Sequence, residues 1–200
     1  MRTRRLRYRI RVRRIPPVST PPNAIADTRR WLERAVVGLN LCPFAKAVLV
    51  KQQVHIAATG ARDANAILAA FGEELQALVA LPASERDTTL LVVPEGMDDF
   101  LTFLDVVARA ERLVRKRGLE GVVQVAHFHP RFVFADSDED DVTNFTNRSP
   151  WPTLHLLREE SLDRAVAAFP DAADIYEANM ARLQALGREG WDALDVGPSR

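Results

Sequence analysis

The sequence holds one cysteine, Cys42, among its 200 residues. A lone thiol excludes an internal disulfide framework and fits a reducing compartment, so a cytoplasmic location is expected. No apolar run approaches the ~20 residues that span a bilayer, so no membrane partner is expected. The opening MRTRRLRYRIRVRR lacks the apolar segment of a secretory signal and the amphipathic spacing of an organelle transit peptide. It also lacks acid. Residues 1–14 contain eight of the 27 Lys and Arg residues and no Asp or Glu, which leaves 19 basic against 27 acidic residues in the rest of the chain. An acidic body argues against general nucleic-acid binding. No internal repeat is present.

The remainder is ordinary globular sequence. Apolar residues make up 47% and charged residues 27%, and 200 residues suffice for one domain with a real core. The Arg block has three readings: a disordered basic arm, an edge strand, or sequence upstream of the true start. Self-repulsion of like charges favours a dispensable arm. IPPVSTPPN at 15–23 reads as a Pro-rich linker. The organisation is thus arm and linker over 1–26, one globular domain over 27–192, and a loose end over 193–200.

Asp27 is suited to cap a helix running to about Leu39, with Gly38, Asn40 and Pro43 marking its end. Alternation from Val48 to Ala58 predicts a half-buried strand with His55 on its polar face. Asp63 caps a helix with Ile67, Leu68, Phe71, Leu75 and Leu78 at helical spacing. TTLLVV at 88–93 fits a central strand covered on both faces. A helix over about 98–117 ends at Gly118, and a strand over 121–129 puts His127 and His129 on one face. Thr153–Leu157 is a fourth strand, Ser161 caps a short helix, and Asp171 caps a last one stopped by Gly187. This order predicts an α/β (or α+β) fold, a mixed or mostly parallel sheet of about four strands with helices packed on it. The longest connection, between the third and fourth strands, holds Phe132, Phe134, Phe145 and Trp151, which argues against disorder and for function.

Four stretches, GLNLCPFAKAV, QVAHFHPRFVFA, DDVTNFTNRSPWPTLHLLREES and IYEANMARLQALG, together resemble the bacterial family catalogued as domain of unknown function 1415. The resemblance covers about residues 27–192. It implies no activity and carries over no catalytic roles.

Candidate chemistry rests on the residues themselves. Cys-Pro at 42–43 is distantly like a glutaredoxin site, but Ala45 stands where the second cysteine belongs, which leaves monothiol chemistry or an inert core thiol. His127 and His129 are candidate proton carriers. As metal ligands with His155 or Cys42 they have only weak spacing, and no metal site is assigned. The acidic turn DSDEDD lacks the Gly and Glu of a calcium loop. In NFTNRSPWPTLHLLREE at 144–160, Arg148 sits on a loop stiffened by Pro150 and Pro152. There it either grips a carboxylate or phosphate or clamps the acidic turn. The leading expectation is an enzyme acting on a small anionic substrate. Asn144, Asn147, Arg148, Ser149 and His155 bind, and Cys42, His127 and His129 are the catalytic candidates. The alternative is a non-catalytic small-ligand or protein-binding module using the same loop. Nothing in the sequence names a cofactor or an oligomeric state.

Overall fold

The structure is a computed structural model, and it describes residues 23–168 and 172–199. The basic arm, most of the Pro-rich linker and the expected cap Asp171 lie outside the described residues. Six α-helices and four strands are present among them: α1 (Ala24–Trp31), α2 (Ala45–Val50), β1 (Val54–Ala58), α3 (Ala64–Ala80), β2 (Thr88–Val92), α4 (Phe100–Lys116), β3 (Val123–Phe128), β4 (Thr153–Arg158), α5 (Glu159–Ala168) and α6 (Ala172–Ala193). α1 continues into a π-helical stretch, Leu32–Val37, and a 3-10 turn spans Val142–Thr146.

Local chemistry explains most of these boundaries. Asp63 accepts hydrogen bonds from the Asn65 and Ala66 amides, and Asp99 accepts one from Thr102, so each aspartate satisfies orphan donors at a helix start. Gly118 takes φ +67° just past α4, where a left-handed residue closes the helix. The π-helical stretch needs Gly38. A Cβ there would lie 2.2 Å from the Arg34 carbonyl oxygen, inside any tolerable contact.

The sheet order is β1-β2-β4-β3. β1 and β2 are parallel, and β4 is antiparallel to both β2 and β3. β1, β2 and β3 therefore point one way, with β4 returning between two of them, which makes the sheet mixed. Alternation divides the side chains between two covered faces. Leu91, Leu154, Leu156 and Val123 pack against Phe71 of α3 and Phe103 of α4. Ile56, Leu90 and Val92 pack against Trp31 and Val36 of the first helical run and Leu183 of α6. β2 is buried along its whole length, as its continuous apolar run requires.

Several expectations need correction. Helix α1 begins at Ala24, so Asp27 does not cap it; the carboxylate sits inside the helix, fully buried. The alternation at 48–50 belongs to α2, and only 54–58 is strand. Short apolar runs fit either period, and here the helix rests Ala45 and Leu49 against the core beside the π-helical stretch. α5 starts directly at Glu159, and the Ser161 hydroxyl donates to Asp87 Oδ1 at 2.5 Å instead of capping. Gly187 has φ +65° and ψ 178°, breaking α6 while a further helical turn follows it. The segment 194–199, read as loose, lies along α1: Val196 is buried, Arg30 Nε donates to the Asp195 carbonyl at 2.7 Å, and the Ser199 amide donates to Asp27 at 3.0 Å.

Candidate functional site

The connection from β3 to β4 is built from its own polar side chains. Asn144 is fully buried. Its Oδ1 accepts from the Phe134 amide at 2.9 Å and the Ser137 hydroxyl at 2.8 Å, and its Nδ2 donates to the Asp138 carbonyl at 2.8 Å. Arg148 donates from Nε to the Phe132 carbonyl at 3.0 Å and from Nη2 to the Glu139 carbonyl at 2.6 Å, with its guanidinium 5.1 Å from the centre of the Phe145 ring. Ser149 donates to the Trp151 carbonyl at 2.6 Å. Asn147 accepts the His129 amide on its own carbonyl at 3.2 Å. Trp151 Nε1 donates to Asp27 at 3.2 Å and so ties the loop to α1.

Asp27 is the hub of that tie. Burial raises its pKa, but hydrogen bonds from Ser199 and Trp151 and the charge of Arg30 outweigh this and hold the carboxyl below its usual range. The side chain has no exposed surface. Sequence reasoning missed this role, and its only signal was an acid placed among apolar helix positions.

His127 and His129 share the sheet face that meets α4, with ring centres 5.1–6.4 Å from those of Phe100 and Phe103. His129 is fully buried, and both its nitrogens are used. Nδ1 accepts the Arg131 amide at 3.0 Å, so Nε2 carries the proton and donates to the Met97 carbonyl at 2.8 Å. Burial lowers the pKa of both histidines, with Glu111 partly opposing it at His127. His129 thus fastens the loop after β2 to the loop after β3.

His155 lies on the opposite sheet face, paired across strands with Leu90 and Ala126. That face carries a cavity of about 730 Å³. Its floor is the sheet at Thr88, Leu90, Ala126 and His155; Trp31, Leu32 and Val36 of the first helical run form one wall, and Leu162 and Ala165 of α5 another. The Cys42–Val48 segment, including α2, closes a third side. Of the sequence candidates, the structure therefore brings together Cys42 and His155. Arg148, Asn144, Asn147, Ser149, His127 and His129 do not line this cavity.

The cavity's polar groups have defined states. The Thr88 hydroxyl donates to the Leu156 carbonyl at 2.7 Å, which uses its one proton. The 2.7 Å contact between Thr88 Oγ1 and His155 Nε2 then requires Nε2–H as donor, leaving a lone pair on Nδ1. Nδ1 has no hydrogen-bond partner among the described residues. Burial pushes the His155 pKa down to about 4, so the ring is neutral near pH 7. Burial also pushes the Cys42 thiol up, against hydrogen bonds from the Phe44 and Ala45 backbone, so it stays protonated. Trp31 is 1% exposed, and its indole Nε1 is a buried donor with no partner among the described residues. Neither Thr88 nor Trp31 was a sequence candidate; Thr88 was hidden in a run that reads only as buried strand.

Among the described residues, no three His, Cys, Asp or Glu side chains are grouped to hold a metal ion. No helix among them is long and apolar enough to cross a membrane. The family described as protein of unknown function (DUF1415) matches residues 23–193, and the chain belongs to it. No curated protein and no solved structure matches.

Proposed function

We propose that this protein binds a small, mostly apolar molecule in the cavity between the sheet, α2 and α5, and that it acts as a ligand-binding module. One observation carries the reading: a cavity of about 730 Å³ with mostly apolar walls. That volume is in the range of roughly 300–1,000 Å³ typical of small-molecule sites. The adjoining π-helical stretch supports the same place, since such irregular turns collect at functional sites.

The enzyme reading draws on Cys42 and His155 sharing the cavity. Their protonation states count against it: a protonated thiol is a poor nucleophile, and an imidazole with a pKa near 4 is a weak base. The anion site built on Arg148 finds its guanidinium already occupied by two carbonyls of its own loop.

The test uses Nile red, an uncharged fluorophore that brightens in apolar surroundings, with the full chain. The expected outcome is saturable binding that Ala126→Phe abolishes, because the new ring fills the cavity floor. Binding unchanged by Ala126→Phe, with the variant as stable as the parent, sinks the reading.

A further inference from the structure

The cavity has a charge gradient as well as a shape. Its deep walls are apolar: Trp31 and Leu90 are 1% and 2% exposed. Its charged lining residues are Lys51, Arg158, Arg164 and Asp87, three cations and one carboxylate. Lys51 and Arg164 are exposed, which places them at the mouth. The imbalance is only partly offset. Asp87 is nearly buried and accepts the Ser161 hydroxyl. Arg158 donates from Nε and Nη2 to the carbonyls of Leu78, Leu81 and Arg86 and has no ion pair among the described residues. Lys51 has no ion pair among the described residues, whereas Arg164 is paired with the highly exposed Glu160. A cationic mouth on a chain that is acidic outside its first 14 residues marks a local preference for negative charge.

We infer that the cavity's ligand is an amphiphilic anion: a hydrocarbon or aromatic body lying against Trp31, Leu90 and Phe128, with an acidic head group at the mouth beside Lys51 and Arg164. The inference rests on the ligand-binding reading above and adds the ligand's chemical class. Steric and electrostatic demands agree on the orientation. An ionised head group cannot enter the apolar floor without losing its hydration, whereas at the mouth it keeps water and gains the cations. The hydrocarbon end leaves water for the apolar walls.

Isothermal titration of the full chain with decanoate and with 1-decanol separates the two levels. Both share the same hydrocarbon length and differ in head charge. The expected result is that decanoate binds about tenfold more tightly than 1-decanol at low salt, a preference that shrinks as salt screens the mouth. Lys51→Ala/Arg164→Ala removes the preference and leaves 1-decanol unchanged. Arg158 is kept, because it holds three backbone carbonyls. Equal affinities in the parent, or a double variant that still prefers decanoate, overturn the anionic assignment while the cavity stands. If both ligands bind and Ala126→Phe weakens neither, they bind elsewhere, and the cavity reading falls with the assignment. Absence of binding by either ligand, alongside saturable Nile red binding, also overturns the assignment alone.

Discussion

The loop between β3 and β4 and the cavity on the far side of β4 make opposite use of polar side chains. In the loop, Asn144, Arg148 and Ser149 are joined to nearby backbone groups, and Asn144 and Arg148 each make at least two such bonds. In the cavity, a lone pair on His155 Nδ1 has no protein partner among the described residues. A side chain committed to holding its own backbone has little left for a ligand, and removing it costs stability. A polar group left unpaired at a cavity wall, as His155 Nδ1 is, stays available to a ligand. Density of polar residues in sequence therefore marked a well-braced loop, while the sparser region holds the open group.

The largest expected effect that sharpens this contrast is at Asn144. Asn144→Ala leaves a half-buried amide, a hydroxyl and a carbonyl without their partner, and is expected to lower unfolding free energy by about 2–3 kcal/mol in urea melts. Nile red binding to the folded fraction should not change. A silent Asn144→Ala breaks the contrast.

His155 comes next, through pH. Its folded pKa of about 4 lies below the ordinary value of 6.5, so the unfolded chain takes up the proton first. Stability contributed by the neutral ring is present above about pH 6.5 and is lost as pH falls toward 4, by an amount on the order of 2–3 kcal/mol. His127 and His129 are shifted down too, so His155→Leu should reduce this slope in melts from pH 7 to pH 4 without abolishing it. An unchanged slope would mean that water reaches His155 freely.

Arg148→Lys follows. Lysine keeps the charge but cannot reach the Phe132 and Glu139 carbonyls with one planar group. A loss of about 2 kcal/mol is expected, with ligand binding at the cavity intact. Full stability together with weakened binding of inorganic phosphate would restore the loop as an anion site. The smallest effect is at His55, which belongs to neither region. It is 45% exposed and 3.7 Å from Glu74, so His55→Ala should stay within about 0.5 kcal/mol of the parent and serves as the control.

Much of the fold was legible because its signals are local. The spacing of Ile67, Phe71, Leu75 and Leu78, with Asp63 in front, needs only a helix period and a cap. The run at 88–92 needs only β-branched and aliphatic residues too apolar for a solvated strand. Readings failed where two periods compete or where a residue's partner is remote. Val48 and Val50 suit strand or helix equally, and the chain takes helix there with Val50 exposed and Ala45 and Leu49 packed on the core. Asp27 looks like a cap until Ser199 and Trp151 are brought to it from 172 and 124 residues away.

By itself, the sequence determined the helix and strand periods, most caps, the alternation that sends successive side chains of β3 and β4 to opposite faces, and the acidic balance of the body. Each of these follows from backbone geometry or from summed charge, neither of which depends on distant contacts. Only the tertiary structure decided which polar groups are spent and which are open. It put His155 and Cys42 on one cavity with Trp31 and Thr88, and it enclosed Arg148 among its own carbonyls. The physical reason is that hydrogen-bond satisfaction and desolvation depend on neighbours tens of residues away in the chain, and no local pattern encodes them.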